Sequence, residues 1–211
     1  MSQYILNNKL GLKDAQTLNK NERRLSALRI ISLRGKTFRK FDFSTLKKIH
    51  KEIFKDVYQW AGTTRNVNIS KGKALFCPVE NINAYADTIF KKLEKENYLK
   101  GLSQDEFCKK AAELFGDINA LHPFREGNGR TQREFIYHLA KNSGYELDLN
   151  QLDKTKYMTA SIESMLTGNE KMERLMKSII KPLTKEKVVR KQKIVMEITN
   201  KDKSNSRGMN R

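Results

Sequence analysis

An all-α bundle carrying one short β-hairpin is the fold class the sequence predicts. Three observations carry that prediction. Apolar residues recur three and four positions apart along nearly the whole chain. Glycines and prolines stop these runs at helix-like intervals, as at Gly35, Gly62, Gly144 and Pro182. One β-rich stretch, residues 65–78, interrupts them with a glycine-containing turn.

The elements follow in order. Asp14 to Arg34 reads as a first helix, with Leu18, Leu25, Leu28, Ile30 and Ile31 near one face. Ser44 to Trp60 reads as a second, through Leu46, Ile49, Ile53, Val57 and Trp60. Arg65 to Pro78 is the hairpin. Ile82 to Leu99 is a third helix on Ile82, Tyr85, Ala86, Ile89, Phe90 and Leu93. Ser103 and Glu106 form a capping box that opens a fourth, carrying Phe107, Ala111, Leu114, Phe115 and Ile118. Pro123 ends it, because proline disfavours the α conformation at His122. Helix resumes near Asn128, carries Phe135, Ile136 and Leu139, and stops at Gly144. Two more helices follow Asn150, one before Gly168 and one ending at Pro182.

The chain has 211 residues, 38% hydrophobic and 31% charged, enough for one domain with its own core. Residues 1–182 form that domain, with an N-terminal helical extension, and residues 183–211 a basic tail, partly helical or disordered. Nothing approaches the 18 or so consecutive apolar residues of a spanning helix, so no membrane role is expected. No basic segment followed by a long apolar one opens the chain, so no secretory signal is expected. Cys77 and Cys108 make neither a disulfide framework nor a zinc spacing. A reducing, cytoplasmic setting is the expectation.

The net charge is +18. Ten Lys/Arg against three acidic residues fall within 181–211. Phosphate neutralisation on a nucleic acid is one reading of this charge. A solvated basic tail is the favoured one, because the tail has no aromatic residue on which bases could stack.

The chemistry concentrates in twelve residues, His122-Pro123-Phe124-Arg125-Glu126-Gly127-Asn128-Gly129-Arg130-Thr131-Gln132-Arg133. Gly127-Asn128-Gly129 precedes a helix, and the freedom of glycine lets successive N–H groups point into one concavity. With the first-turn N–H groups of the helix this makes an anion site. Arg130 and Arg133 are three apart, on one face, and two guanidinium forks suit a di- or triphosphate. A carboxylate at Glu126 beside such a site calls for a cation, and Mg²⁺ is commonly held by one or two carboxylates plus phosphate oxygens. His122 has the near-neutral pKa of a base that abstracts a hydroxyl proton. Phe124 points inward and pins the loop, and His50 and His138 read as structural.

These residues resemble the signature of the Fic family, His-Pro-Phe-x-Asp/Glu-Gly-Asn-Gly-Arg-x-x-Arg, at all nine specified positions. Trp60-Ala61-Gly62-Thr63-Thr64-Arg65 and the Lys71-Gly72…Phe76 hairpin are similar to the segment that precedes it, and the resemblance covers about residues 5–180. It implies the Fic fold, a helical bundle whose hairpin is a flap over the active site. It implies an adenylyltransferase that moves AMP from ATP to a Ser, Thr or Tyr hydroxyl of a target protein. His122 would be the base and Glu126 the Mg²⁺ ligand. Gly127, Asn128 and Gly129 would form the anion hole, and Arg130 and Arg133 would hold the β- and γ-phosphates. Ser70, Lys71, Gly72 and Lys73 would dock an extended target segment by strand addition. Gly129 favours AMP transfer over the phosphorylation carried out by the Doc toxin, which has lysine there. Transfer of another nucleotide or of phosphate is the nearest alternative. A basic nucleic-acid-binding protein, or a nucleotide-binding module without catalysis, are the alternatives from other classes.

Many Fic proteins carry an inhibitory helix with Ser/Thr-x-x-x-Glu-Gly/Asn. Here Glu80, Glu96 and Glu126 are followed by Gly or Asn, and Phe76, Lys92 and His122 stand four before them. Thr159…Glu163-Ser164 matches in part. The resemblance therefore implies a separate small antitoxin that offers a glutamate to Arg133. Family targets include DNA gyrase and topoisomerase IV, and some members are delivered to a host cell and modify small GTPases.

Overall fold

Two helices joined by the twelve-residue motif organise the chain. The computed structural model describes residues 5–71 and 74–184. Helix α4, Gln104–Leu121, opens on the predicted capping box, Ser103 N donating to Glu106 Oε2 at 3.0 Å. It buries Phe107, Ala111, Leu114, Phe115, Ile118 and Leu121. Helix α5, Asn128–Asn142, buries Phe135, Ile136 and Leu139. Both stripes are the predicted ones, and burying aliphatic and aromatic side chains this size is worth roughly 1.5–3 kcal/mol each.

Around this pair pack α1 (Ala15–Arg34), α2 (Phe43–Phe54), α3 (Ile82–Lys95), α6 (Lys154–Leu166) and α7 (Glu170–Ile179). Helix α1 lies on α2 and α5, α3 lies on α4, and α6 and α7 cover the other side of α4. The flap is a two-stranded antiparallel ribbon, β1 (Ser70–Lys71) with β2 (Ala74–Leu75), in register Ser70 with Leu75. The predicted all-α bundle with its hairpin is thus the observed architecture. Among the described residues no helix is long and apolar enough to cross a membrane.

Four details depart from the sequence reading. Helix α2 ends at Phe54, not Trp60. Val57 is still buried, but it sits in a turn that closes when the Gly62 N–H donates to His50 Nδ1 at 2.8 Å, with Gly62 at φ +87°. Helix α3 ends at Lys95, because Asn97, Tyr98 and Leu99 all adopt left-handed φ of 50–59°. The last helix ends at Ile179, and the chain continues as strand β4 (Ile180–Pro182) beside β3 (Tyr145–Leu147). Helix α1 turns a different face inward. Leu18 and Leu33 are buried with Glu22 and Ser26, while Leu28 and Ile31 are 57% and 70% exposed. The expectation for the tail falls almost wholly on residues 185–211, outside the described residues.

Candidate active site

The motif loop leaves α4 at His122, whose left-handed backbone (φ 42°, ψ 60°) ends the helix one residue before Pro123. That turn swings the imidazole out of the helical path. Its Nδ1 lies 3.3 Å from the Asn119 carbonyl oxygen, an atom that only accepts, so Nδ1 carries the proton. In the neutral ring Nε2 then holds the acceptor lone pair, the form a general base requires. Phe76, from the end of the flap, stacks on the imidazole with centroids 3.7 Å apart.

The loop is held from inside. Phe124 is buried, as predicted, and stacks on His50 at 3.9 Å. Since His50 Nδ1 accepts from Gly62, its Nε2 donates, and it does so to the Glu126 carbonyl at 3.0 Å. Burial lowers the His50 pKa to about 4, so the ring stays neutral. Asn128 closes the loop on itself. Its Oδ1 accepts from Phe124 N at 2.9 Å and its Nδ2 donates to Phe124 O at 2.7 Å. The Asn128 side chain is therefore committed to the loop, and the residue can serve an anion only through its backbone. Gly127 sits at φ +81°, where a Cβ would meet the Phe54 ring at 2.3 Å. Gly129 has room, with a Cβ meeting only Arg133 Nη1 at 3.6 Å and Tyr157 Oη at 3.9 Å.

Helix α5 starts at Asn128, so its first-turn N–H groups have no carbonyl of their own helix to bond. Glu126, Arg130 and Arg133 line one cavity of about 490 Å³, to which α1 also contributes. Arg130 and Arg133 thus border the same cavity, and Arg133 also borders a second, apolar one between α5, α6 and α7. Arg133 lies over the Tyr157 ring at 5.0 Å. Glu126 is half exposed, its Oε1 accepting from Gly127 N at 2.8 Å and standing 3.8 Å from Arg130 Nη2. Among the described residues no group of three His, Cys, Asp or Glu could hold a metal ion by itself. The donor set is one accessible carboxylate in a cavity lined by arginines. It suits a hard cation that brings most of its oxygen ligands on phosphate and water.

The flap is tied to the loop by Arg65, which is 4% exposed. Its Nε donates to the His122 carbonyl at 2.9 Å, its Nη1 to Val67 O at 2.8 Å and its Nη2 to Cys77 O. Desolvation lowers its pKa. Ser70 is exposed and Lys71 pairs in β1, whereas Gly72 and Lys73 lie outside the described residues.

Sequence reasoning missed the supporting residues. The sequence marks Arg65 and His50 without their tasks, and it does not mark Ser26 or Tyr58. The one signal that could have found Glu22 was its place on the Leu18 face of a helix.

Known proteins resemble the chain in sequence and in fold. Residues 40–140 match the family model described as the Fic/DOC family. The chain is 42% identical over 174 residues to protein adenylyltransferase VbhT of Bartonella schoenbuchensis, covering 82% of this chain and 36% of that protein. It therefore spans about a third of the length of that relative. It is 33% identical to the probable protein adenylyltransferase Fic of Escherichia coli, covering 74% of this chain and 78% of that one. The structure superposes on that of BepC, a VirB-translocated effector protein of Bartonella tribocorum with bound AMPPNP, at a TM-score of 0.80 and 30% identity, covering 86% of this chain and 95% of that one. A signature matched at every specified position, on a helical scaffold shared with such relatives, places the chain in the Fic/DOC family.

Proposed function

We propose that the protein is an adenylyltransferase that transfers AMP from ATP to a Ser, Thr or Tyr hydroxyl of a target protein. The observation that carries this reading is the shared cavity of Glu126, Arg130 and Arg133 at the amino end of α5, with His122 at the other end of the same loop beneath the flap. Relatives named as protein adenylyltransferases and a similar fold with bound AMPPNP support it.

The target hydroxyl oxygen attacks the α-phosphorus of ATP as its proton passes to His122 Nε2. An O–P bond forms, the bond from the α-phosphorus to the bridging oxygen breaks, and pyrophosphate leaves. The amino end of α5, Arg130 and Arg133 hold the phosphate charge in place, and positioning with charge stabilisation is most of what such a transfer needs. Mg²⁺, held by Glu126 and the phosphates, would supply neutralisation of the charge that builds toward the leaving group. The edge of the β1–β2 ribbon would pair with an extended target segment.

The family resemblance extends the proposal to regulation by a separate small antitoxin whose glutamate engages Arg133. DNA gyrase and topoisomerase IV are the first targets to test in a bacterial cytoplasm, and host proteins are the targets if the chain is delivered. The deciding experiment is incubation of the full chain with α-³²P-ATP, Mg²⁺ and lysate, with mass spectrometry of labelled bands. Label on a protein hydroxyl, lost in His122→Ala, is expected. Absence of protein-bound label in every lysate would refute the reading.

A further inference from the structure

Helix α1 lies wholly outside the residues matched by the family model, yet it reaches the nucleotide cavity. Glu22 is 5% exposed there. One carboxylate oxygen, Oε1, accepts from Arg130 Nη2, and the other, Oε2, accepts from the Tyr58 hydroxyl. Ser26, one turn along, accepts from Arg130 Nη1 at 3.0 Å. The Phe54 ring lies under the same guanidinium at 4.6 Å. Arg130 is thus held on one edge by two acceptors and on one face by a ring, while still lining the cavity beside Glu126 and Arg133.

We infer that Glu22 is a positioning residue for the transfer reaction, fixing the Arg130 guanidinium in the one orientation that serves the phosphates. This rests on the function proposed above and deepens it.

Two observations separate this from a mere fastening of α1. That helix is already fastened by two forked pairs away from the cavity. Arg29 donates to both oxygens of Asp56 at 2.5 and 2.8 Å, and Arg34 to both oxygens of Glu134 at 2.7 and 3.1 Å. Its rotation also leaves Leu28 and Ile31 in water while Glu22 and Ser26 are buried. Burying a carboxylate in place of two aliphatic side chains is unfavourable unless its partners are in place. A free arginine side chain has much rotamer entropy to lose, and a pre-oriented fork loses little of it when phosphate arrives.

The test uses the 211-residue chain with Mg²⁺ and ATP. Glu22→Gln keeps the shape and removes the charge. Its kcat for AMP transfer should fall about tenfold or more, since small misplacements of a clamp cost that much, while ATP affinity by calorimetry stays within about threefold. In an Arg130→Lys background, Glu22→Gln should cost nothing further. Unchanged kcat, affinity lost in parallel with kcat, or full additivity with Arg130→Lys overturns the inference. If Glu22→Gln does not fold, Ser26→Ala removes the other Arg130 bond without leaving a buried charge. It should lower kcat about threefold at unchanged ATP affinity, and no change overturns the inference. A readout independent of activity is the ¹⁵N spectrum of the arginine side chains. Arg130 should show slow guanidinium rotation in the wild type and fast rotation in Glu22→Gln. A wild-type chain with that signature and no AMP transfer would refute the functional reading alone, and an unaltered spectrum in the variant would refute the positioning role alone.

Discussion

The Phe76 ring lies nearly parallel to the His122 imidazole, 18° between planes and 3.7 Å between centroids, so a residue of the flap is packed on the candidate base. Phe76 is 9% exposed and Cys77 N donates to Ala120 O at 2.9 Å, which roots this end of the flap on α4. Phe76→Ala is expected to free the imidazole to rotate. AMP transfer should drop about tenfold with little change in ATP affinity, measured by single-turnover labelling and calorimetry.

His122→Ala removes the proposed base. General-base catalysis contributes about 10²- to 10⁴-fold, so labelled AMP transfer should fall by that factor while ATP binding survives. Retained transfer would take His122 out of its role. Glu126→Ala, or chelation of divalent ions, should stop transfer without unfolding the protein, because the Glu126 side chain is 51% exposed.

The two motif glycines should behave differently. Gly127→Ala forces a Cβ into the Phe54 ring at a left-handed φ, so a loss of at least about 1–2 kcal/mol is expected. In a chain this size that is roughly 2–8 °C in the thermal midpoint. Gly129→Ala should melt like the wild type, because its Cβ meets nothing closer than 3.6 Å. Equal midpoints for both variants would contradict the loop geometry.

Stability should depend on pH through the buried histidines. Burial lowers the pKa of His50 and of His138 to about 4 in the folded state. The unfolded chain binds these protons near pH 6.5, so the contribution is complete above that value and is lost as pH falls toward 4. Urea midpoints should therefore decline between pH 6.5 and 5, before carboxylates titrate, and His138→Phe should flatten the decline. A midpoint constant across that window would count against it.

Inhibition by a partner can be tested by titration. A small protein whose helix presents a glutamate to Arg133 should abolish self-labelling at stoichiometric ratio, and changing that glutamate to glutamine should restore the signal. Undiminished labelling would remove the antitoxin from the proposal.

What the sequence disclosed was local. The motif was legible because its chemistry sits in twelve consecutive residues, and α4 and α5 because their apolar stripes and the Ser103–Glu106 cap are contiguous. What it hid depends on distant pairing. Glu22 meets Arg130 across 108 positions, and β3 meets β4 only after two helices intervene. Helix α1 misled for the same reason. Its leucines and isoleucines mark two faces, and partners distant in sequence, Asp56, Tyr58, Arg130 and Glu134, meet the one that carries Glu22 or hold the helix in that rotation.

Arg65 has a consequence for recognition. A single guanidinium serves carbonyls at the root of the hairpin, along its approach and at the end of α4, so these three backbones travel together. On the proposed function, a target segment pairing along the ribbon would thereby be indexed to the imidazole before any reaction begins. Choice among acceptors would then become a matter of reach, counted in residues between the paired stretch and the hydroxyl it delivers.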